Sequence, residues 1–542
     1  MNPFFLLTVA VAISMLVIPL AWRFAPRLGL VDVPDARKVH AVPVARVGGW
    51  GITLGALAPL LLVYKLDALL QSFILANLVL FLFGVWDDAK QTNHWIKFAG
   101  QFAAAGIMVF YGGLYVTRLP FLDNLTLSAA MGRSFTLVAL VGLINAMNHS
   151  DGLDGLAGGE TLLTLIALAI LGFLVDDTLL PGISLALIGG ILGFLRYNSY
   201  PARVFMGDGG SQVLGLTLGF LAIYLTQRAG SSMSAALPLL LFGVPISDIL
   251  SVLFQRITSG MNWFEATRNH VHHRLLDLGF SHFETVVIIY SIHATLVLSA
   301  VLLRFATDAI VTLAFAAPIV MLYATLILAE RRGWRAHQRR SSLAAVGVLL
   351  RRLRPTQRVR GVSLLLIAVL IPTFTLLVSV WVSTVPRDFG MSACLLLAAA
   401  VLALALKSSR GPVLSRATVF ATAIFSSYLL IHYPRATPSP VGLLSTSMIV
   451  GLAAAVGVYV RFAPDNRFQT TPTDYLIVFG LLTLLVFGLI SVNSRSAVDL
   501  VVYSTVLLYG CEIMVGQAAR HSRIVQFSTL PTLAVLIGRG LF

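Results

Sequence analysis

Asn148, Asp151 and Asp154 stand three residues apart in the stretch 145–159, NAMNHSDGLDGLAGG. Residues three apart on a helical turn share a face, so one amide and two carboxylates can point the same way. Gly152, Gly155, Gly158 and Gly159 let the backbone turn tightly or approach a ligand closely. Apolar segments lead in (135–144) and out (161–174). The cluster therefore suits a metal ion or a polar headgroup at a membrane surface better than it suits a core.

Four further clusters invite the same question. Asp87 and Asp88 adjoin at the end of an apolar run in GVWDDAK (84–90), and Lys97 and Gln101 open the next run. Adjacent carboxylates there repel each other unless a cation neutralises them, and hard oxygen donors suit magnesium. A solvated helix end is the plainer reading. Asp208 lies between glycines in FMGDGGS (205–211), where a helix N-terminus favours phosphate and the carboxylate can reach a metal. Asn198 precedes it. Phe205 is placed to stack on a base, although an interfacial aromatic fits the pattern equally well. His270, His272, His273 and Arg274 crowd into NHVHHRLL (269–276). They are too close in sequence to surround one zinc ion, so diphosphate contact suits them better, with an ordinary basic loop as the alternative. Arg37, Lys38, His40 and Arg46 form a loop that reads as a phosphate-binding surface or as a juxtamembrane basic segment. Asp248, mid-span after Pro245, is a functional candidate or a helix-packing partner.

The elements that position these groups follow from composition. The 542 residues are 58% hydrophobic and 11% charged, with mean hydropathy +0.89, whereas soluble domains carry roughly 25% charged residues. The chain reads as an all-α, polytopic transmembrane helix bundle. Apolar runs near 3–22, 47–64, 68–86, 97–116, 132–147, 160–175, 181–196, 211–227, 235–255, 283–304 and 308–329 give about 11 helices. Six or seven more lie between 361 and 541. The runs are solidly apolar rather than alternating, which argues against a β-barrel. Three parts emerge: 1–330, an Arg-rich linker at 331–360, and a C-terminal transmembrane extension at 361–542, whose role the sequence does not reveal. The net charge of +15 sits in loops, where arginines set topology and hold anionic membrane lipid, and nothing resembles a nucleic-acid module. Cys394 and Cys511 lie in apolar runs, so neither a disulfide framework nor a thiolate metal site is indicated. The N-terminus lacks the basic start of a cleavable signal, and Arg23 and Arg27 follow the first run, so it is expected to face out. Counting from there, every polar cluster above falls on the cytoplasmic side.

The motifs RKVHAVPVARVGG (37–49), GVWDDAK with Lys97, NAMNHSDGLDGLAGG (145–159), NSYPARVFMGDGGS (198–211) and NHVHHRLLDLG (269–279) together resemble the polyprenyl-phosphate N-acetylhexosamine-1-phosphate transferase superfamily. They occur in the family's order and cover about residues 1–330. The branch they are most similar to takes UDP-GlcNAc and starts lipopolysaccharide, O-antigen or teichoic-acid linkage synthesis. Ala45, Thr267 and His149 depart from the family's pattern.

The resemblance implies a magnesium-dependent enzyme, with manganese as the alternative ion. It would move N-acetylhexosamine-1-phosphate, with GlcNAc-1-phosphate the expected group, from a UDP-sugar to polyprenyl phosphate and release UMP. The site would face the cytoplasm from a bacterial inner membrane. It further implies Asp208 as a metal ligand, with Asp87, Asp88 and Asn148 also in the metal set. Asp87 and Asp88 would hold the lipid phosphate and Lys97 would neutralise it. Asn148, Asp151 and Asp154 would line the nucleotide side, with Asp154 reading uracil and Phe205 stacking on it, while Asn198 would contact substrate and Arg37, Lys38 and His40 would bind substrate phosphate. His270 would take a catalytic role beside His272, His273 and Arg274 on the diphosphate and sugar. A homodimer is the oligomer considered. A membrane transporter or lipid flippase is the competing class, and it would need charges lining a path to both faces.

Overall fold

A computed structural model describes residues 3–34, 42–122, 126–230, 232–261, 269–336, 357–405, 411–434, 440–461, 478–480, 482–483, 494–517 and 519–542. The chain divides into two compact units. One comprises residues 6–339 with 471–483, and the other comprises 340–470 with 484–542 and 1–5. Among the described residues, ten helices are long and apolar enough to cross a membrane.

In the first unit the helices are α1 (Pro3–Phe24), α2 (Gly48–Val63), α3 (Ala68–Lys90), α4 (His94–Gly106), α5 (Ala129–Ser150), α6 (Leu156–Leu174), α7 (Leu179–Asn198), α8 (Asp208–Tyr224), α9 (Leu237–Leu241), α10 (Gly243–Thr258), α11 (Val271–Asp277), α12 (His282–Leu302) and α13 (Asp308–Arg331). α8 packs against α3 and α5, α2 against α7, and α6 against α7 and α12. α6 and α8 are the most enclosed spans, so the two helices that begin beside the glycine-rich motifs run through the middle of the core.

Helix ends decide where the polar groups sit. The Asp67 carboxylate accepts the Leu70 N–H at 2.8 Å and starts α3. α3 stops only where Gln91 turns left-handed, at φ 49°. It therefore outlasts its apolar run and carries Asp87 and Asp88 on its last turn, fixed by helical backbone. The apolar stretch 235–255, expected as one span, is two helices. They break at Phe242 (φ −121°, ψ 22°), because Pro245 has no N–H to give the carbonyl four residues back and its ring crowds that group.

A three-stranded sheet appears where the sequence suggests only loops. β1 (Val31–Asp32) pairs antiparallel with β2 (Val44–Arg46). β2 pairs parallel with β3 (Val204–Phe205), with Arg46 opposite Phe205. Runs of two or three residues show no alternation to read. Small as it is, the sheet ties the basic loop to the segment leading into Asp208.

The second unit holds helices Gln357–Trp381, Arg387–Ala405, Gly411–His432, Pro440–Arg461, Ser494–Gln517 and Ala519–Leu541. Their own core includes Phe374, Phe389, Phe425, Tyr459 and Leu507. Arg539 closes the first of them. Its guanidinium donates to the carbonyls of Ser379, Val380, Val382 and Ser383 at 2.6–3.1 Å, satisfying acceptors that a helix C-terminus leaves open. Most of the expected span 473–493, and the Arg-rich stretch 337–356, lie outside the described residues.

Candidate active site

The acidic centre forms where the last turn of α3 meets the first turn of α8. Asp88 is buried and accepts the backbone N–H of Asp208 at 3.0 Å and of Gly209 at 3.1 Å. It thus caps α8, where the helix dipole favours negative charge. Gly207 makes this possible. Its φ is +74°, and a Cβ there would stand 2.5 Å from Asp88 Oδ2, so only glycine fits. Asp87 points elsewhere. One of its oxygens accepts the N–H and hydroxyl of Thr92 at 2.8 and 2.6 Å, and the other meets Lys97 Nζ at 2.7 Å. The same ammonium reaches Asp208 Oδ2 at 2.9 Å. Asn148 Nδ2 donates to Asp208 Oδ1 at 3.1 Å and to Ser211 Oγ at 2.8 Å. Arg46, paired with Asp32, lies 4.0 Å from Asp88.

The imidazole half is built on α10 and α11. His270 Nδ1 is 2.7 Å from Asp248 Oδ2, and the Val271 N–H donates to Asp248 Oδ1 at 2.8 Å. His270 stacks between His149, at 5.2 Å between ring centroids, and His272, at 5.7 Å. His273 lies 4.3 Å beyond His272. The His272 ring sits over Gly152, where any Cβ would come within 2.3 Å of Nε2. The glycine-rich stretch is thereby keyed to the histidine motif.

Several expected contacts are with the protein itself. Asn198 uses both ends of its amide on backbone, accepting from Gly155 N–H at 2.8 Å and donating to the Val204 carbonyl at 2.9 Å. Asp154 Oδ2 accepts the Ala202 N–H at 2.8 Å. Arg274 forms a two-pronged pair with Glu330, 2.8 Å at each contact. A polar cavity of about 410 Å³ opens beside that pair, bounded by Gln255, Asn269, Asp277 and Arg335. Phe205 is half-buried on β3. Arg37, Lys38 and His40 lie outside the described residues. The structure thus brings together Asp87, Asp88, Lys97, Asn148 and Asp208, and separately stacks His270 and His272, with His273 tilted against His272.

Carboxylates, an ammonium and imidazoles gathered at one end of a helical bundle are suited to phosphate chemistry. The model of glycosyl transferase family 4 matches residues 70–226, which contain the acidic centre. Over 309 residues the chain is 32% identical to the probable undecaprenyl-phosphate N-acetylglucosaminyl 1-phosphate transferase of Bacillus subtilis, covering 56% of this chain and 86% of that one. This chain belongs to the polyprenyl-phosphate N-acetylhexosamine-1-phosphate transferase family. The transferase is also 35% identical over 300 residues to the decaprenyl-phosphate N-acetylglucosaminephosphotransferase of Mycobacterium tuberculosis, covering 49% of this chain and 74% of that one. It is 28% identical over 275 residues to the undecaprenyl-phosphate alpha-N-acetylglucosaminyl 1-phosphate transferase of Escherichia coli K12, covering 50% and 75%.

Charge in the transferase site is managed differently on its two sides. Loss of hydration, then the negative charges of Asp208 and Asp154, push the Asp151 carboxyl up to about 7, against the pull of Arg46. Burial, with His273 beside it and Asp248 opposing, lowers His272 to about 3, so this imidazole is neutral near pH 7. As a test of fit for magnesium, Asp87 and Asp208 each present an oxygen to one cation, the Lys97 ammonium. Magnesium takes one or two carboxylates and completes its shell with water and phosphate oxygens, so this hard donor pair fits. Among the described residues no three His, Cys, Asp or Glu side chains form a metal cluster. Asp88, whose oxygens hold the start of α8, and Asn148, which turns its nitrogen to Asp208, fit the metal set less well.

Sequence reasoning passed over Asn145 and Gln212, which with Gln101 form a hydrogen-bonded ladder behind Asp208. An amide in an otherwise apolar span is the signal that would have found them.

Proposed function

We propose that the transferase moves N-acetylglucosamine-1-phosphate from UDP-N-acetylglucosamine to polyprenyl phosphate, releasing UMP, at the cytoplasmic face of a bacterial inner membrane. The names of its relatives support the donor and the acceptor. The observation that carries the reading is the Lys97 ammonium bridging Asp87 and Asp208. Two phosphate-bearing substrates must meet in line, so catalysis is positioning plus neutralisation of charge.

In this reading the lipid phosphate attacks the sugar-linked phosphorus and the UMP oxygen leaves. Lys97 offsets the incoming negative charge, and Asp88 holds Asp208 at the head of α8. Asp87 and Asp208 would hold magnesium, which neutralises diphosphate charge when bound. The Asp248–His270 pair orients an imidazole toward the donor's diphosphate. Lipid phosphate is largely ionised near neutral pH, so a general base is dispensable.

A transporter finds no support in the relatives, and the carboxylates and imidazoles gather at one end of the bundle. The test is purified protein with undecaprenyl phosphate, magnesium and a panel of UDP-sugars. UMP release should be fastest with UDP-N-acetylglucosamine. Equal rates with every sugar, or release only after EDTA treatment, would refute the assignment.

A further inference from the structure

Behind the Asp248–His270 pair lies a buried acid that the transfer reaction does not use. Glu160, in the second turn of α6, is 1% exposed, and among the described residues its carboxyl oxygens meet no donor of good geometry, the Ser150 hydroxyl being the polar group set against them. His272 Nε2 is likewise buried and unpartnered. Glu160, Asp248, His272 and Ser150 line one cavity of about 10 Å³, together with apolar residues such as Val244 and Ile289. Two buried carboxyl groups beside one cavity repel each other unless they share a proton or a polar molecule joins them. The cavity is about the size of one water, and a buried water needs two to four polar partners, which these side chains provide.

We infer that Glu160 is a positioning residue for the Asp248–His270 pair, acting through one water molecule held between the two carboxyl groups. The other groups facing Glu160 do not neutralise it. Tyr290 donates its hydroxyl to the Gly155 carbonyl at 2.6 Å. His293 Nε2 meets the backbone carbonyl of Glu160 at 3.1 Å. His272 lies across the cavity. A proton shared by the two acids lets one donate to the water while the other accepts. Asp248 then keeps its two contacts to α11, and His270 keeps its proton on Nδ1, leaving Nε2 for substrate.

The inference rests on the transferase reading, so the experiment has one readout that turnover does not enter. Full-length Glu160→Leu and Glu160→Gln proteins are compared with wild type in lipid nanodiscs. Glu160→Leu should lower kcat about tenfold, as the loss of a supporting contact commonly does, with KM for the UDP-sugar within about twofold. It should add nothing in an Asp248→Asn background. Glu160→Gln, which can still bind the water, should recover most of that loss and move the alkaline limb of the kcat profile upward, because the shared proton can no longer leave. The histidine 15N spectrum should show His270 losing its single tautomer in Glu160→Leu. An unchanged pH profile in Glu160→Gln, an unchanged histidine spectrum in Glu160→Leu, or losses that multiply with Asp248→Asn would overturn the inference. A wild-type protein that releases no UMP, yet whose His270 signal responds to Glu160→Leu, would refute the transferase reading and leave the positioning role standing.

Discussion

The two halves of the site solve opposite problems. Around Asp208 the carboxylates of Asp87, Asp88 and Asp208 itself each meet a donor. Lys97 bridges Asp87 and Asp208, and Asp88 holds the N-terminus of α8. Around His270 the groups are buried and sparsely paired, with no partner at His272 Nε2 and no donor of good geometry at the Glu160 carboxyl. The first arrangement crowds carboxylates around one ammonium, with the Asp151 carboxyl pushed up to about 7 by burial and by Asp208, and so suits an added cation and the phosphates it would neutralise. The second suppresses charge at His272, which is neutral near pH 7, and fixes the His270 ring against Asp248. Low dielectric strengthens what is paired and penalises what is not, so the same burial serves both ends.

Removing a charge on the acidic side should cost most. Lys97→Met should lower the rate of UMP release by about 100-fold or more, as loss of a phosphate-neutralising group typically does. A rate within a few-fold of wild type would place the phosphates elsewhere. On the imidazole side, Asp248→Asn should cost roughly 10- to 100-fold in kcat by freeing the His270 ring. A larger loss than that of Lys97→Met would reverse the order of the two halves.

Stability should separate them by sign. A carboxyl raised to about 7 in the folded state, as at Asp151, costs nothing while both states are protonated. Its cost grows as pH climbs from about 4 and is complete above about 7. Asp151→Asn should therefore raise Tm more at pH 8 than at pH 5. An imidazole lowered to about 3, as at His272, makes the folded state lose stability as pH falls from about 6.5. His272→Gln should flatten the fall in Tm between pH 7 and pH 4.5. Thermal unfolding in detergent reads both slopes, and parallel slopes would remove the distinction.

Much of this was legible in the chain because span length and polar interruption are strong signals. Apolar runs gave the long helices, and Asp87, Asp88, Asn148 and Asp208 stood out as polar groups with no reason to lie at a membrane. The rest depends on who meets whom. Nothing in NSYPARVF says that Asn198 will turn both amide ends to backbone, or that Arg274 will find Glu330, 56 residues away. The break at Phe242 was hidden because two short apolar helices in series look like one span. Glu160 was visible as an acid in an apolar run, yet only the fold puts it beside Asp248.

Asp208 is the residue joined at once to Lys97 and Asn148 and seated by Asp88. The decisive measurement is magnesium-dependent UMP release by purified Asp208→Asn protein whose Tm matches wild type. A loss of about 1,000-fold or more is predicted. Full turnover in the folded variant would contradict the claim that this carboxylate is the centre of the site.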